Sequence, residues 1–179
     1  MQPLFTRWLR LLLARVPDKP IVMASTLGQL GYWGRAPGTN GSVVGILLYT
    51  VFFFQLNWVG QLALLALLVG LAVIICGEAE RRLQKRDPGE VILDEVVAIP
   101  LCFIGLEPLM GQTGQVWLYM LAGFALFRLF DILKPLGINR LQDAPGGWGV
   151  VLDDLGAAVA TNVVLRLGVM ALQFGGWIA

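Results

Sequence analysis

Residues 58–76 read WVGQLALLALLVGLAVIIC, nineteen positions without a charge, and Arg81, Arg82, Lys85 and Arg86 follow closely. A helix needs about 20 apolar residues to cross the ~30 Å hydrocarbon core of a bilayer. Basic residues just beyond such a helix mark its cytoplasmic end. This stretch therefore predicts a membrane helix, and the rest of the chain is read outward from it.

Four further apolar stretches cover residues 43–56, 91–104, 116–133 and 155–172, each bounded by Gly, Pro or charge. The second, fourth and fifth of the five approach the length of a full crossing, whereas the first and third are nearer fourteen residues. The pattern predicts an all-α fold, a compact multi-helix integral membrane domain with about five apolar helices and an N-terminal amphipathic helix. In residues 1–19 a short apolar core at 8–13 is interrupted by Arg10 and followed by Arg15 and Lys19. That is a basic helix on the membrane surface, not a cleavable signal. The chain divides into an interfacial segment at 1–27, a helical membrane domain at 28–172 and a short tail at 173–179.

Composition agrees: 57% of residues are apolar and 14% charged, more apolar surface than a soluble fold of this size hides. Thirteen basic against twelve acidic residues leave no basic excess for a nucleic-acid partner. The chain has no His, which removes the usual zinc ligand and the commonest general base. Cys76 and Cys102 lie in apolar runs with no partner nearby, as buried thiols do.

Basic residues alternate along the chain. Arg7, Arg10, Arg15, Lys19 and Arg35 precede the first stretch, Arg81 to Arg86 follow the second, and Lys134 and Arg140 follow the fourth, while 55–59, 105–115 and 173–179 contain none. Five crossings with the N-terminus in the cytoplasm fit that alternation. The polar segments 35–42, 87–95, 128–134 and 143–154 then all fall at the cytoplasmic ends.

Those ends carry Asp94, Glu95, Asp131, Asp153 and Asp154, each in or against an apolar segment, where an unpaired carboxylate costs several kcal/mol. Arg128 and Lys134 can pair with some of them. Five carboxylates against two cations leave negative charge that suits a hard divalent ion with oxygen ligands, Mg²⁺ above all. Taken singly, each acid also reads as an ordinary interhelical ion pair or helix cap. In residues 35–42, RAPGTNGS, the glycines can expose backbone N–H groups, with Thr39 and Ser42 offering hydroxyls to a phosphate; the same residues make a common turn with a Ser cap. Arg128, Asp131 and Lys134 recur at intervals of three, so they share one helix face. Arg128 can hold a phosphate oxygen while Asp131 binds metal, or the two can simply pair. Residues 146–149, GGWG, are either a turn delivering Asp153 and Asp154 or a plain loop. Arg81, Arg82, Lys85 and Arg86 read as a solvated, membrane-facing positive cluster.

Four segments in this order, RAPGTNGS at 35–42, DPGEVILDE at 87–95, FRLFDILKP at 127–135 and GGWGVVLDD at 146–154, resemble the phosphatidylglycerophosphatase A family over roughly residues 28–172. The resemblance implies a helical membrane enzyme of the bacterial cytoplasmic membrane with its site on the cytoplasmic side. It implies Mg²⁺-dependent hydrolysis of phosphatidylglycerophosphate to phosphatidylglycerol and phosphate. It places functional weight on Pro37, Gly38, Thr39, Gly41 and Ser42, on Asp94 and Glu95, on Arg128, Asp131, Lys134 and Pro135, and on Asp153 and Asp154. The chain departs from the family pattern at Ala98, where members often have Gly, and at Gly137, where they often have Pro.

Metal ligands are drawn from Asp94, Glu95, Asp131, Asp153 and Asp154, the same residues supplying catalysis, with Arg35, Thr39, Ser42, Arg128 and Lys134 on the substrate. A carboxylate left over either activates water or attacks phosphorus itself. A phosphotransferase joining an alcohol to a lipid nucleotide would need an Asp-Gly-x-x-Ala-Arg signature that is not present. A non-enzymatic transporter or scaffold using buried carboxylates for ion binding is the other alternative. The partners are the lipid substrate and membrane lipids; oligomeric state is not legible.

Overall fold

The computed structural model describes residues 15–175, and every regular element among them is helical. In chain order these are α1 (Asp18–Ser25), α2 (Pro37–Leu48, continued by a π turn over Tyr49–Phe53), α3 (Trp58–Leu83) and α4 (Leu93–Ala98, continued by 3-10 turns over Ile99–Cys102). There follow α5 (Glu107–Thr113), α6 (Val116–Leu133) and α7 (Gly147–Phe174), with 3-10 helices over Leu30–Tyr32 and Pro135–Asp143.

Three helices, α3, α6 and α7, are long and apolar enough to span a membrane. Their 26, 18 and 28 residues extend about 39, 27 and 42 Å at ~1.5 Å per residue. Their outer faces are apolar and exposed, as at Leu67 and Leu71 on α3, Trp117 and Leu121 on α6, and Val163 and Leu167 on α7. Asp94, Asp153, Asp154 and Thr161 are buried inside. That inversion of a soluble protein's surface suits lipid as solvent.

The expected count of about five apolar helices needs adjustment in two places. α2 with its π turn is a shorter apolar helix than the three spans. The stretch 91–104 is not one helix at all. Pro100 has no N–H to continue the ladder, so the chain tightens into 3-10 turns and breaks at Gly105, whose φ is +73°. A broken helix end in apolar surroundings must have its carbonyls satisfied. Asn162 Nδ2 donates to the carbonyls of Leu101, Cys102 and Ile104 at 3.0–3.2 Å, and Arg166 Nη2 donates to Ile104 O at 2.7 Å. Arg166 is thus a basic residue far along α7 from its acidic N-terminal end, an exception to the alternation of basic residues. Its charge is engaged by a helix end.

At the end of the molecule opposite the acids, Glu107 accepts from Tyr49 Oη at 2.7 Å and from Gln61 Nε2 at 2.6 Å, tying α5 to α2 and α3. Tyr49 also packs on Phe103, ring centroids 4.9 Å apart. Cys76 and Cys102 are free and buried, as expected.

The expected surface helix at the N-terminus falls largely on residues 1–14, outside the described residues. α1 is packed against α3 with Ile21 buried, and Ile92 N–H donates to Ser25 O at 3.0 Å. Arg82, its side chain 4% exposed, pairs with Asp18 and Glu78 and donates to Val16 O. Arg81 pairs with Glu78, Lys85 with Glu90 and Arg86 with Asp143. Of the basic cluster after α3, Arg82 is therefore a buried structural tie, whereas Arg81, Lys85 and Arg86 are paired but exposed, as a solvated cluster is.

Glycines set how closely the helices approach. Gly41 and Gly45 of α2 lie against α4, where an added Cβ would come within 2.9 Å of Ile92 O and 2.6 Å of Ile99 Cβ. Gly77 of α3 lies against Gly147 of α7, an added Cβ standing 2.6 Å from the Gly147 nitrogen. Residues 147–149 are accordingly the first turn of α7, not a loop, because only a residue without a side chain fits beside the α3 backbone. Gly147→Ala is expected to lower the unfolding temperature in detergent, by the equivalent of about 1–3 kcal/mol of overpacking. Gly168→Ala on the same helix, where nothing lies within 4 Å, should leave it unchanged or slightly higher. Equal effects from the two would show that the α3–α7 contact is not tight.

Candidate active site

The N-terminus of α2, the loop after α3, the first turn of α4, the C-terminus of α6 and the first turns of α7 all meet at one end of the bundle. Asp94 and Glu95 come from the first turn of α4. Asp153 and Asp154 lie two turns into α7, and Asp131 lies in the last turn of α6. The structure thus brings Asp94, Glu95 and Asp154 together with Asp131 beside Asp154, while Asp153 adjoins them, turned to Lys134 and Gln142. Asp94 and Asp154 are each 4% exposed and Asp153 3%. One carboxylate oxygen from each of Asp94, Glu95 and Asp154 lies within 4.8 Å of the other two. Asp131 stands against Asp154 and acts on the charge of Glu95.

Such crowding is costly without positive charge. Burial, reinforced by the neighbouring Glu95 charge, pushes Asp94 well above the usual carboxylate range. Burial also lifts Glu95 to about 7, with Asp131 adding to the shift and both Arg128 and the Asp94 hydrogen bond opposing it. Two buried carboxylate oxygens, Glu95 Oε2 and Asp153 Oδ1, accept no hydrogen bond among the described residues.

Two cations border the cluster. Arg128 Nη1 lies 2.7 Å from Asp131 Oδ2 and 3.9 Å from Glu95 Oε1. Lys134 Nζ lies 2.5 Å from Asp153 Oδ2. Lys134 does not share the Arg128–Asp131 face. It sits just past the end of α6 in the left-handed conformation, φ +44°, because Pro135 opens the next 3-10 helix. Partial burial pulls the lysine pKa down, but the hydrogen bond and charge of Asp153 outweigh it and raise the ammonium above its ordinary value.

Residues 37–42 form the first turns of α2 and not a glycine loop. No side chain caps that helix end; Pro37 has no N–H and the Thr39 N–H donates to Ala36 O at 3.0 Å, which leaves the Gly38 N–H for an anion. Gly38 faces the cluster; a Cβ there would stand 2.7 Å from Arg128 Nη1 and press on Glu95 Oε1. Thr39 is half-buried and Arg35 is exposed just ahead of the helix. Ser42 is buried, and its hydroxyl donates to Gly38 O at 2.8 Å, turned into its own helix. Asn40 ties the preceding turn down through Leu30 O and Trp33 O.

Two neighbours of the cluster were not singled out from sequence. Gln142 Nε2 donates to Asp153 Oδ2 and to Asp87 Oδ2, both at 2.9 Å. Asp87 is held in the left-handed region, φ +47°, with its N–H donating to Glu80 Oε1. Gln142 stands in no periodic pattern. Asp87 does open one of the quoted segments, and its Asp-Pro-Gly context reads only as a turn.

Every donor atom in the cluster is oxygen, and two carboxylate oxygens lack partners. That set could hold a hard divalent cation and does not suit zinc.

The phosphatidylglycerophosphatase A family profile matches residues 23–169 of this chain. A Bacteroides thetaiotaomicron protein described as a putative phosphatidylinositol-3-phosphatase is 32% identical over 151 residues, 83% of this chain and 92% of the relative. The phosphatidylglycerophosphatase A of Haemophilus influenzae is 34% identical over 140 residues, 78% of this chain and 80% of the relative. That of Escherichia coli is 32% identical over 133 residues, 72% of each. No solved structure matches significantly.

The cluster makes stability depend on pH in a definite direction when no cation is bound. The folded chain holds a proton on Glu95 up to about 7, whereas an ordinary glutamate loses it at 4.5, and Asp94 acts in the same sense. The contribution is fully present below about 4.5 and lost as pH rises through about 7. In chelator, the unfolding temperature is expected to fall across that window, and Glu95→Gln should flatten the fall. A rise across the window in the wild-type protein would contradict the burial described here.

Proposed function

The chain belongs to the phosphatidylglycerophosphatase A family, and from that premise we propose that this membrane phosphatase hydrolyses the terminal phosphate monoester of phosphatidylglycerophosphate, with Mg²⁺, at the cytoplasmic face of a bacterial inner membrane. The observation that carries the reading is the meeting of Arg128 and the uncapped N-terminus of α2, at Gly38, with a buried carboxylate cluster. Cationic and backbone donors for phosphate oxygens stand beside oxygen ligands for a metal.

In this reading Asp94, Glu95 and Asp154 hold the cation, with Asp131 beside them. When bound, Mg²⁺ supplies positive charge that neutralises the phosphate dianion and stabilises the charge growing on the leaving oxygen. Arg128 and the Gly38 N–H of α2 orient the non-bridging oxygens, with Thr39 and Arg35 at the open side. Lys134 and Gln142 fix one oxygen of Asp153 at the edge of the cluster, and a carboxylate that the cation leaves free takes a proton from attacking water. The water oxygen bonds to phosphorus as the phosphorus–oxygen bond to glycerol breaks. Phosphatidylglycerol leaves once its oxygen is protonated from solvent. The basic residues before α2 and after α3 and α6 support the cytoplasmic placement. No observation favours the transporter or scaffold alternative.

Purified protein in mixed micelles is expected to release phosphate from phosphatidylglycerophosphate with Mg²⁺ and not with a chelator. Asp154→Asn, Asp131→Asn and Gly38→Ala should each lower kcat by about 10²-fold or more. Phosphatidylinositol 3-phosphate, suggested by the Bacteroides relative's name, is assayed in parallel. Folded protein that releases phosphate from no lipid under any metal condition would sink the proposal.

A further inference from the structure

Beside the cluster, on the far side of Gln142, lies a cavity of ≈ 220 Å³ lined by Glu80, Arg86, Asp87, Gln142, Ala144 and Gly149 among others. The Gln142 amide joins it to the reacting end of the site, since the same Nε2 donates to Asp87 in the cavity wall and to Asp153 in the cluster. The wall is fixed from several sides. Asp87 is anchored on Glu80 through its N–H, and Arg86 Nη2 bridges to Gln142 O at 2.9 Å and Asp143 Oδ1 at 3.1 Å.

The chemistry of this lining is specific. Glu80 and Asp87 offer carboxylate oxygens, which accept from hydroxyls, and Arg86 offers donors. An acyl chain would have to cover Glu80, Asp87 and Arg86 along with the apolar surface at Ala144 and Val150, and a second phosphate would meet two carboxylates. At ~30 Å³ for each water-sized group the space takes about seven heavy atoms, the scale of a short polyol. It opens next to Asp153, where the bond between phosphate and its alcohol would be cut.

We propose that this cavity binds the polyol joining the diester and the monoester of the lipid headgroup. Asp87 accepts a hydrogen bond from the free hydroxyl, and Gln142 acts as a positioning residue that keeps Asp87 in register with Asp153. The cavity then selects headgroup phosphomonoesters over phosphatidic acid, whose phosphate is attached directly to diacylglycerol and has no such hydroxyl. The inference rests on the lipid phosphatase reading and adds the group that distinguishes one substrate from another.

Two full-length variants test it without touching the carboxylate cluster. Asp87→Asn removes a charge while keeping a residue that tolerates the left-handed backbone. Ala144→Leu fills the cavity by bulk. Each is assayed for kcat/KM on phosphatidylglycerophosphate and on phosphatidic acid in identical micelles. Inhibition by glycerol 3-phosphate and by inorganic phosphate is measured alongside. Both variants should lose about 10- to 100-fold on phosphatidylglycerophosphate, the effect of losing one hydrogen bond to a charged group, with phosphatidic acid turnover changed less than about twofold on the same reasoning. Glycerol 3-phosphate should inhibit the wild-type protein more strongly than inorganic phosphate, and the variants should lose that advantage. Equal losses on both lipids, no loss on either, or a wild-type protein that does not distinguish the two inhibitors would overturn the proposal. A wild-type protein that hydrolyses neither lipid would instead overturn the phosphatase reading on which it rests.

Discussion

Mutual repulsion among carboxylates taken out of water is the constraint around which this molecule is organised. An isolated buried carboxylate is expensive, and several together are tolerable only where cations or donors stand at fixed places around them. Arg128 beside Asp131, Lys134 and Gln142 on Asp153, and the open end of α2 at Gly38 are those places. The compensation is incomplete: Asp94 and Glu95 hold protons more tightly than ordinary acids, and two oxygens lack donors among the described residues. The balance left over is an affinity for positive charge.

The helices serve this cluster by bringing their ends to it and by packing closely enough to exclude water. Gly38, Gly41 and Gly45 let α2 lie against α4, and Gly77 and Gly147 let α3 lie against α7. α4 is then surrounded by α2, α3 and α7. A helix so enclosed can stop partway, because α7 supplies Asn162 and Arg166 to its exposed carbonyls. At the opposite end, Glu107 holds α5 to α2 and α3, so both ends of the bundle are tied by polar groups and the middle by apolar contact.

The helical class, the long spans and the five clustered acids were legible because they rest on local patterns: uninterrupted apolar runs, and charges where apolar runs end. Lengths and breaks were less so. Residues 91–104 look like any short membrane helix, and the Pro100 break becomes tolerable through Asn162 and Arg166, far along the chain on α7. The glycines at 38–42 and 147–149 suggest loops by composition, whereas tertiary contact uses them inside helices. Ser42 illustrates the same limit, its hydroxyl directed to Gly38 O where sequence placed it toward substrate. Gln142 and Asp87 carry no spacing signal, since their meeting depends on where a 3-10 helix and a loop cross.

Lys134 occupies the position just past a helix where glycine is the usual residue, and it holds a left-handed backbone at a cost of about 1–2 kcal/mol that glycine would not incur. Its ammonium is what reaches Asp153. Stability and chemistry therefore make opposite demands on one residue. A laboratory search for more heat-resistant versions of this enzyme would be drawn toward glycine at this position, and each such gain would disarm the site. Across a lineage, the retention of lysine there would record selection for turnover over durability.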